Sequence, residues 1–332
     1  MMNALPTELP AVPQETDVSI ESLQDAALLE LGMSLKSRGY RFTAVTPATH
    51  TLVNKRPGNE WAASVEDVFG WSRPFRTGVM PAELMALMSQ AGILKTQDDG
   101  WRCQLRASTM NGVLFFHSAY PTDDTDAVFF GPDTYRFVGA IDKYFGAVPD
   151  PLRRVADIGC GAGPGAIAVA LHQSQAEVWA IDINKQALRL TAINATLAGM
   201  NNVKPLQSNL LGATDGMFDL IIANPPYLVD PTRRAYRHGG GTLGEGLSLA
   251  IVDAAVQRLS LEGTLLLYTG VAIEQGVDAF RVATEKRLQD AGFRWSYREI
   301  DPDVFGEELF SNPAYVHAER IAAVVLTAHR NG

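Results

Sequence analysis

Cysteine is nearly missing from this 332-residue sequence, which has only Cys103 and Cys160. Two thiols make neither a disulfide framework nor a metal cluster, and they fit a reducing, cytoplasmic setting. Long apolar runs are missing too, so nothing reads as a membrane span. Positive charge is in deficit, with 28 Lys and Arg against 37 Asp and Glu and a formal net charge of -9. This argues against broad, non-specific nucleic-acid binding and leaves only a local basic patch open. No internal repeat or low-complexity tract occurs. The acidic trio Asp123, Asp124 and Asp126 is not followed by an oxygen-ligand loop, so it reads as a solvated connector rather than a metal site. Residues 1–16 lack the basic start and apolar centre of a signal peptide and read as a loose tail.

What is present is a globular composition, 46% hydrophobic and 20% charged, over a length sufficient for two cores. Residues 17–148 read as a smaller α+β unit. Apolar positions 23, 27, 28, 31 and 35 have helical spacing, and 65–69 and 81–93 read as further helices. Two strand-like runs, 101–107 and 113–120, flank Asn111-Gly112, a hairpin-turn signal. Helices followed by a hairpin resemble a winged helix, a module that serves nucleic-acid reading, protein docking or dimerisation. Residues 1–145 carry 12 basic and 17 acidic residues, which disfavours the nucleic-acid version. Gly131-Pro132-Asp133-Thr134 opens a helical stretch reaching Phe145, and Pro149-Asp150-Pro151 punctuates the chain.

From 149 to 332 strands and helices alternate, predicting an α/β fold with a mostly parallel sheet and helices on both faces. Strands are expected at 155–158, 178–181, 203–207, 220–223, 263–268 and 321–326. Helices are expected at 164–172, 185–197, 248–259 and 275–291. On such a sheet, ligands bind at the carboxyl ends of the strands.

Two stretches carry chemistry. In 155–167, a short apolar run around Asp157 is followed by glycines 159, 161, 163 and 165 and an apolar helix. This is a strand, a glycine turn and a helix whose N-terminus faces a ligand. By itself it also satisfies a dinucleotide-binding pattern through Gly161, Gly163 and Ala166. Asp182 ends the next strand, where a carboxylate can accept from both ribose hydroxyls of a nucleoside cofactor or, alternatively, cap the helix near Lys185. The second stretch, 218–227, delivers Asn224-Pro225-Pro226-Tyr227 to a strand end. Two prolines stiffen the turn and remove donors. The asparagine amide oxygen and the Pro225 carbonyl can then accept from one planar NH2 group, beside an aromatic wall. In 229–241, Arg233, Arg234 and Arg237 read equally as an anion-recognising set or a solvated charge run, and His238 and His317 are weak candidates for a base. Cys160 reads as a small buried turn residue.

Taken in this order, residues 152–270 resemble the class I S-adenosylmethionine-dependent methyltransferases that bear an N-P-P-Y motif, a group acting on glutamine side chains of translation proteins and on exocyclic amines of nucleic-acid bases. The resemblance implies a Rossmann-like fold and S-adenosyl-L-methionine as cofactor. It implies that Asp157, Gly159, Cys160, Gly161 and Gly163 face the methionine part, that Asp182 holds the ribose and that Asn209 stands against the adenine, with Ile183, Ser208 and Asn224 as further cofactor contacts. Many relatives have an acidic residue where Asn209 stands; asparagine still accepts through its oxygen. It implies Asn224, Pro225, Pro226 and Tyr227 as the catalytic turn, and Thr134, Tyr227, Arg233, Arg234 and Arg237 as acceptor contacts. The 131–134 segment and the glycine-rich 239–247 segment are similar to those of glutamine methyltransferases, except that Tyr135 replaces the usual acidic residue. The favoured acceptor is a protein glutamine-type amide. A base amine, a small metabolite and a non-catalytic cofactor-binding docking protein stay open as alternatives.

Overall fold

A computed structural model describes residues 22–147, 151–232, 234 and 236–332. The expected tail, the junction at 148–150 and Arg233 lie outside the described residues.

The catalytic-type half is built on one mixed sheet. Strands β5 (Arg154–Ile158), β6 (Glu177–Asp182), β7 (Val203–Gln207), β8 (Phe218–Ala223) and β9 (Leu259–Glu274) run parallel. Antiparallel β12 (Arg320–Arg330) and β11 (Phe293–Asp301) follow at one edge, giving the order β11-β12-β9-β8-β5-β6-β7. A two-residue strand, β10 (Val277–Asp278), pairs with β9. The sequence reading missed β11, although aromatics at 293, 295 and 297 alternate in the manner of a half-buried strand. The chain leaves β5 toward β6 and β7, then returns to β8 on the other side of β5. That reversal opens a crevice at the carboxyl ends of β5 and β8.

Helices α6 (Pro164–His172), α7 (Lys185–Ala198), α8 (Gly246–Arg258) and α9 (Ala279–Asp290) cover the sheet. A short helix, α10 (Glu307–Ser311), and a 3-10 turn (Pro313–Tyr315) precede β12. Asn184, and not Asp182, caps α7: its side chain accepts from Gln186 N–H. Asp182 is thereby left for another task.

The N-terminal part holds α1 (Leu23–Ser37), α2 (Pro47–Asn54), α3 (Val65–Phe69) and α4 (Ala82–Gln90). Two hairpins follow, β1 (Leu94–Gln97) with β2 (Gly100–Cys103) and β3 (Leu105–Met110) with β4 (Val113–Ser118). The run expected as one strand over 101–107 therefore breaks at Gln104, where the chain changes partner from β1 to β4. Helix α2 was unanticipated, yet its signals are local: Thr46 caps it and Pro47 fills its first turn.

The N-terminal part is packed directly on α7. Leu28, Leu31 and Phe116 share one buried cluster with Leu188, Ile193 and Leu197. Asn194, fully buried on α7, accepts from Phe116 N–H at 2.8 Å and donates to the Phe116 and Ala162 carbonyls at 3.0 and 2.9 Å. One amide thus joins β4 to the glycine turn. Helix α5 (Pro132–Phe145) packs against α6 and β9 rather than on the hairpins alone.

Candidate active site

A cavity of about 220 Å³ opens at the carboxyl ends of β5, β6 and β8. Its floor is the glycine turn. Gly159 and Cys160 N–H groups both donate to the Ile181 carbonyl, at 2.8 and 3.0 Å, so the turn folds back onto β6. Gly161 N–H donates to Asp182 Oδ2 at 3.0 Å, and Asn184 N–H to Oδ1 at 2.9 Å. Asp182 is thus oriented by the turn on one side and the start of α7 on the other. Burial pushes its carboxyl above the usual range, while the two N–H donors pull it back. Gly163 lies at φ +84°, where a side chain is strained, and any Cβ there would meet Thr191 at 2.9 Å.

Asp157, next to last in β5, lies beneath this turn and is buried. Its Oδ2 accepts from Ala166 N–H, in the first turn of α6, at 2.8 Å, and its Oδ1 has no partner. Burial pushes the carboxyl up to about 7. An unpartnered carboxylate oxygen facing a cavity is a cost the fold carries unless a cationic or donor group occupies the site. Ile183, exposed and apolar, and Asn209, just after β7, line the same cavity. Cys160 also lines it; burial holds its thiol well above the usual range, so it stays neutral.

Asn224, Pro225, Pro226 and Tyr227, just beyond β8, line the same cavity. The glycine-rich segment that follows folds underneath them. Leu228 bridges to His238, Gly239 N–H donates to the Leu228 carbonyl at 2.8 Å, and Gly244 comes so close that a Cβ would sit 2.0 Å from the Tyr227 carbonyl oxygen. The Tyr227 hydroxyl donates to Asp133 Oδ2 at 2.6 Å, and burial beside that carboxylate pushes it well above the usual range.

Of the other residues expected in the site, Gly159, Gly161, Asp182, Ser208, Thr134 and Arg237 line the cavity, while Gly163 and Arg234 do not. Arg234 is held by Asp230 in a two-pronged pair at 2.9 and 3.0 Å, which keeps that carboxyl well below its usual range. Arg237 pairs with Glu308. Arg234 is therefore paired within the loop and Arg237 with α10, and both side chains are partly buried. Thr134 Oγ1 accepts from Gly131 N–H at 3.3 Å. His238 Nδ1 accepts from Asp230 N–H, and His317 is not at the cavity.

Several lining residues were not anticipated. Val128 and Phe129 come from the segment read as a solvated connector, Asp133 and Phe137 from α5, and Tyr236 and Phe305 from loops. Phe129 stacks on Tyr236 with centroids 6.3 Å apart. The adjacent aromatics Phe129-Phe130 in an acidic stretch were the available signal; nothing local marks Phe305.

The sheet reversal, the carboxylates at successive strand ends and the proline turn at β8 define a nucleoside-cofactor domain of methyltransferase type. Residues 146–274 match the family model described as "Methyltransferase small domain", and this part of the chain is a class I methyltransferase domain, of the type that uses S-adenosylmethionine. Among curated relatives, the chain is 34% identical over 167 residues to the release factor glutamine methyltransferase of Deinococcus radiodurans, covering 47% of this chain and 56% of that one. It is 46% identical over 77 residues to the protein of that name from Xylella fastidiosa, covering 23% and 28%. The chain thus spans about half the length of the first curated relative, and less of the second. Among solved structures, the Thermus thermophilus 16S rRNA N2 G1207 methyltransferase with AdoMet and guanosine aligns at TM-score 0.46 and 14% identity, over 78% of this chain and 64% of that one.

Proposed function

We propose that this protein methylates a planar side-chain amide nitrogen of a protein, of glutamine type, with S-adenosylmethionine as donor. One observation carries the reading: the Asn-Pro-Pro-Tyr turn at the end of β8 and the Asp157–Asp182 strand ends line one cavity. The cofactor fits the donor set. The unpartnered Asp157 oxygen suits its positive methionine end, and Asp182, oriented by two N–H groups, suits its ribose hydroxyls. When bound, S-adenosylmethionine supplies an electrophilic methyl group. Asn224 Oδ1 and the Pro225 carbonyl accept from the two N–H bonds of the acceptor. An amide nitrogen is a poor nucleophile because its lone pair is delocalised. Two acceptors on its hydrogens return density to it, and they bind more strongly as positive charge develops. The cavity wall brings the nitrogen into line, which removes entropy from the reaction step. Among the described residues no histidine lines the cavity, and the Tyr227 hydroxyl and Cys160 thiol are held protonated. No strong base is needed: once the nitrogen has taken the methyl group it is strongly acidic, and its proton passes to solvent after transfer.

A protein acceptor is supported over a nucleic-acid base by the net charge of -9, by the paired state of Arg234 and Arg237, and by the printed names of the curated relatives. The test is methyl-label transfer from S-adenosylmethionine into cell extract, followed by protease or nuclease. Protease-sensitive label that releases methylamine on acid hydrolysis is the expected result. Nuclease-sensitive label would move the acceptor to a base.

A further inference from the structure

The Asp133 carboxylate is a hub of four chain segments. Tyr227, in the Asn-Pro-Pro-Tyr turn, donates to Oδ2 at 2.6 Å, and Tyr268 on β9 donates to Oδ1 at 2.5 Å. Arg136, one turn along α5, reaches Oδ1 at 3.2 Å and Asp301, at the end of β11, at 2.6 Å. Just beyond Asp301, Phe305 meets the edge of the Tyr227 ring, with centroids 5.9 Å apart. The opposite constraint is Gly270: a Cβ there would lie 2.2 Å from the Tyr227 ring, so the ring rests on bare β9 backbone. Asp133, Tyr227 and Tyr268 are all buried.

A carboxylate costs free energy to bury unless its lone pairs are filled. Here two phenols and a guanidinium fill them, and the phenols come from the two elements whose relative placement sets the turn. Neutral phenols that donate to a carboxylate make short, strong bonds. Breaking one link of such a hub costs stability alone if the hub only holds the fold. It costs catalysis if the hub sets where Asn224 and Pro225, three and two residues before Tyr227, aim.

Resting on the function proposed above, we propose that Asp133 is a positioning residue: through the Tyr227 hydroxyl it fixes the Asn224–Pro225 acceptor pair against the cavity. Tyr227 is then the strut of the catalytic turn, with its hydroxyl withheld from the acceptor. Tyr227, expected as an aromatic wall, thus also anchors the turn through its hydroxyl.

The test uses the full chain with Asp133→Asn, Tyr227→Phe and the double variant. Tyr227→Phe probes the same link from the other end, keeping the ring on Gly270, should Asp133→Asn fail to fold. Hydrogen exchange is read by mass spectrometry, cofactor affinity by calorimetry, and methyl transfer with a tripeptide carrying a central glutamine. Either single variant should speed exchange in 224–247 by about tenfold or more while leaving 155–182 protected. It should lower kcat by about 10- to 100-fold, the scale of a small misplacement of reacting groups. Cofactor affinity and acceptor KM should stay within about threefold, and the double variant should be no slower than the slower single, since both break one link. Unchanged exchange in 224–247, multiplicative losses in kcat, or a matching loss of cofactor affinity would overturn the assignment. If the parent binds no S-adenosylmethionine, the proposed function fails, and the exchange measurement still decides the role of Asp133.

Discussion

Asp157 and Asn224 line the same cavity, and each gives a measurable consequence. The folded state keeps the Asp157 proton up to about pH 7, while the unfolded chain loses it near about pH 4. The folded state therefore binds more protons between those values, and the stability of the unliganded protein falls as pH rises through that window. The shift is about three units, so the fall is roughly 4 kcal/mol. Above about pH 7 this contribution is level. Asp157→Asn should remove the slope in denaturant titrations run at several pH values. Because the ionised form suits a cationic cofactor, S-adenosylmethionine affinity should strengthen from about pH 6 to about pH 8, with proton release in buffers of different ionisation enthalpy. A pH-independent affinity with no proton release would remove Asp157 from the cofactor's charge. Asn224→Ala makes the complementary prediction. It should lower the methyl-transfer rate by about 100-fold or more with cofactor affinity nearly unchanged. Parental turnover in that variant would make the turn structural only.

The element that matters most is the segment from β8 through the start of α8. Its prolines restrict the backbone, but its course is set by close approach: Gly239, Gly244 and Gly270 each lie where a Cβ would strike neighbouring backbone or the Tyr227 ring. Gly270 is the clearest case, because its strand backbone would accept alanine and only the ring forbids it. Gly270→Ala should therefore displace Tyr227, destabilise the protein by about 1–3 kcal/mol as overpacking does, and lower methyl transfer. A crystal structure with the ring and the hydroxyl bond to Asp133 unmoved would refute this reading. The helix α7 shows the same dependence on context. Its cap at Asn184 frees Asp182 to orient the glycine turn, a division of labour between two polar residues separated only by Ile183.

At the scale of the whole molecule, the smaller N-terminal part and the methyltransferase domain share buried contacts. Removing the N-terminal part would strip Asn194 of its Phe116 partners and bare the apolar side chains of α7 that pack beside it. We propose that α5 belongs functionally with the methyltransferase domain, since it brings Asp133, Thr134 and Phe137 to the cavity. A fragment beginning at residue 151 should then lose S-adenosylmethionine binding as well as acceptor methylation, measured by calorimetry and label transfer. Cofactor binding at parental affinity by that fragment would place the functional boundary at the 148–150 junction instead. Among the described residues no helix is long and apolar enough to cross a membrane.

The sequence by itself determined the alternation of strands and helices, the glycine turn after Asp157, the carboxylate at the end of β6 and the proline turn after β8. These are local: periodicity, backbone freedom and donor loss act within a few residues, and their order along the chain orders them in space once the sheet is parallel. It also contained β11 in an alternation left unused. What only the tertiary structure decided is how distant segments meet. The break at Gln104 depends on which strand each side pairs with. Phe129 and Asp133, neighbours in the chain, meet Phe305 at the cavity from a segment far along the sequence, and the Tyr227 hydroxyl finds its acceptor 94 positions away. Arg234 and Arg237, open to anions as a pattern, are paired with Asp230, where the loop folds on itself, and with Glu308, which α10 brings from far along the chain. Partner choice among buried polar groups follows from packing, and packing is a property of the whole fold.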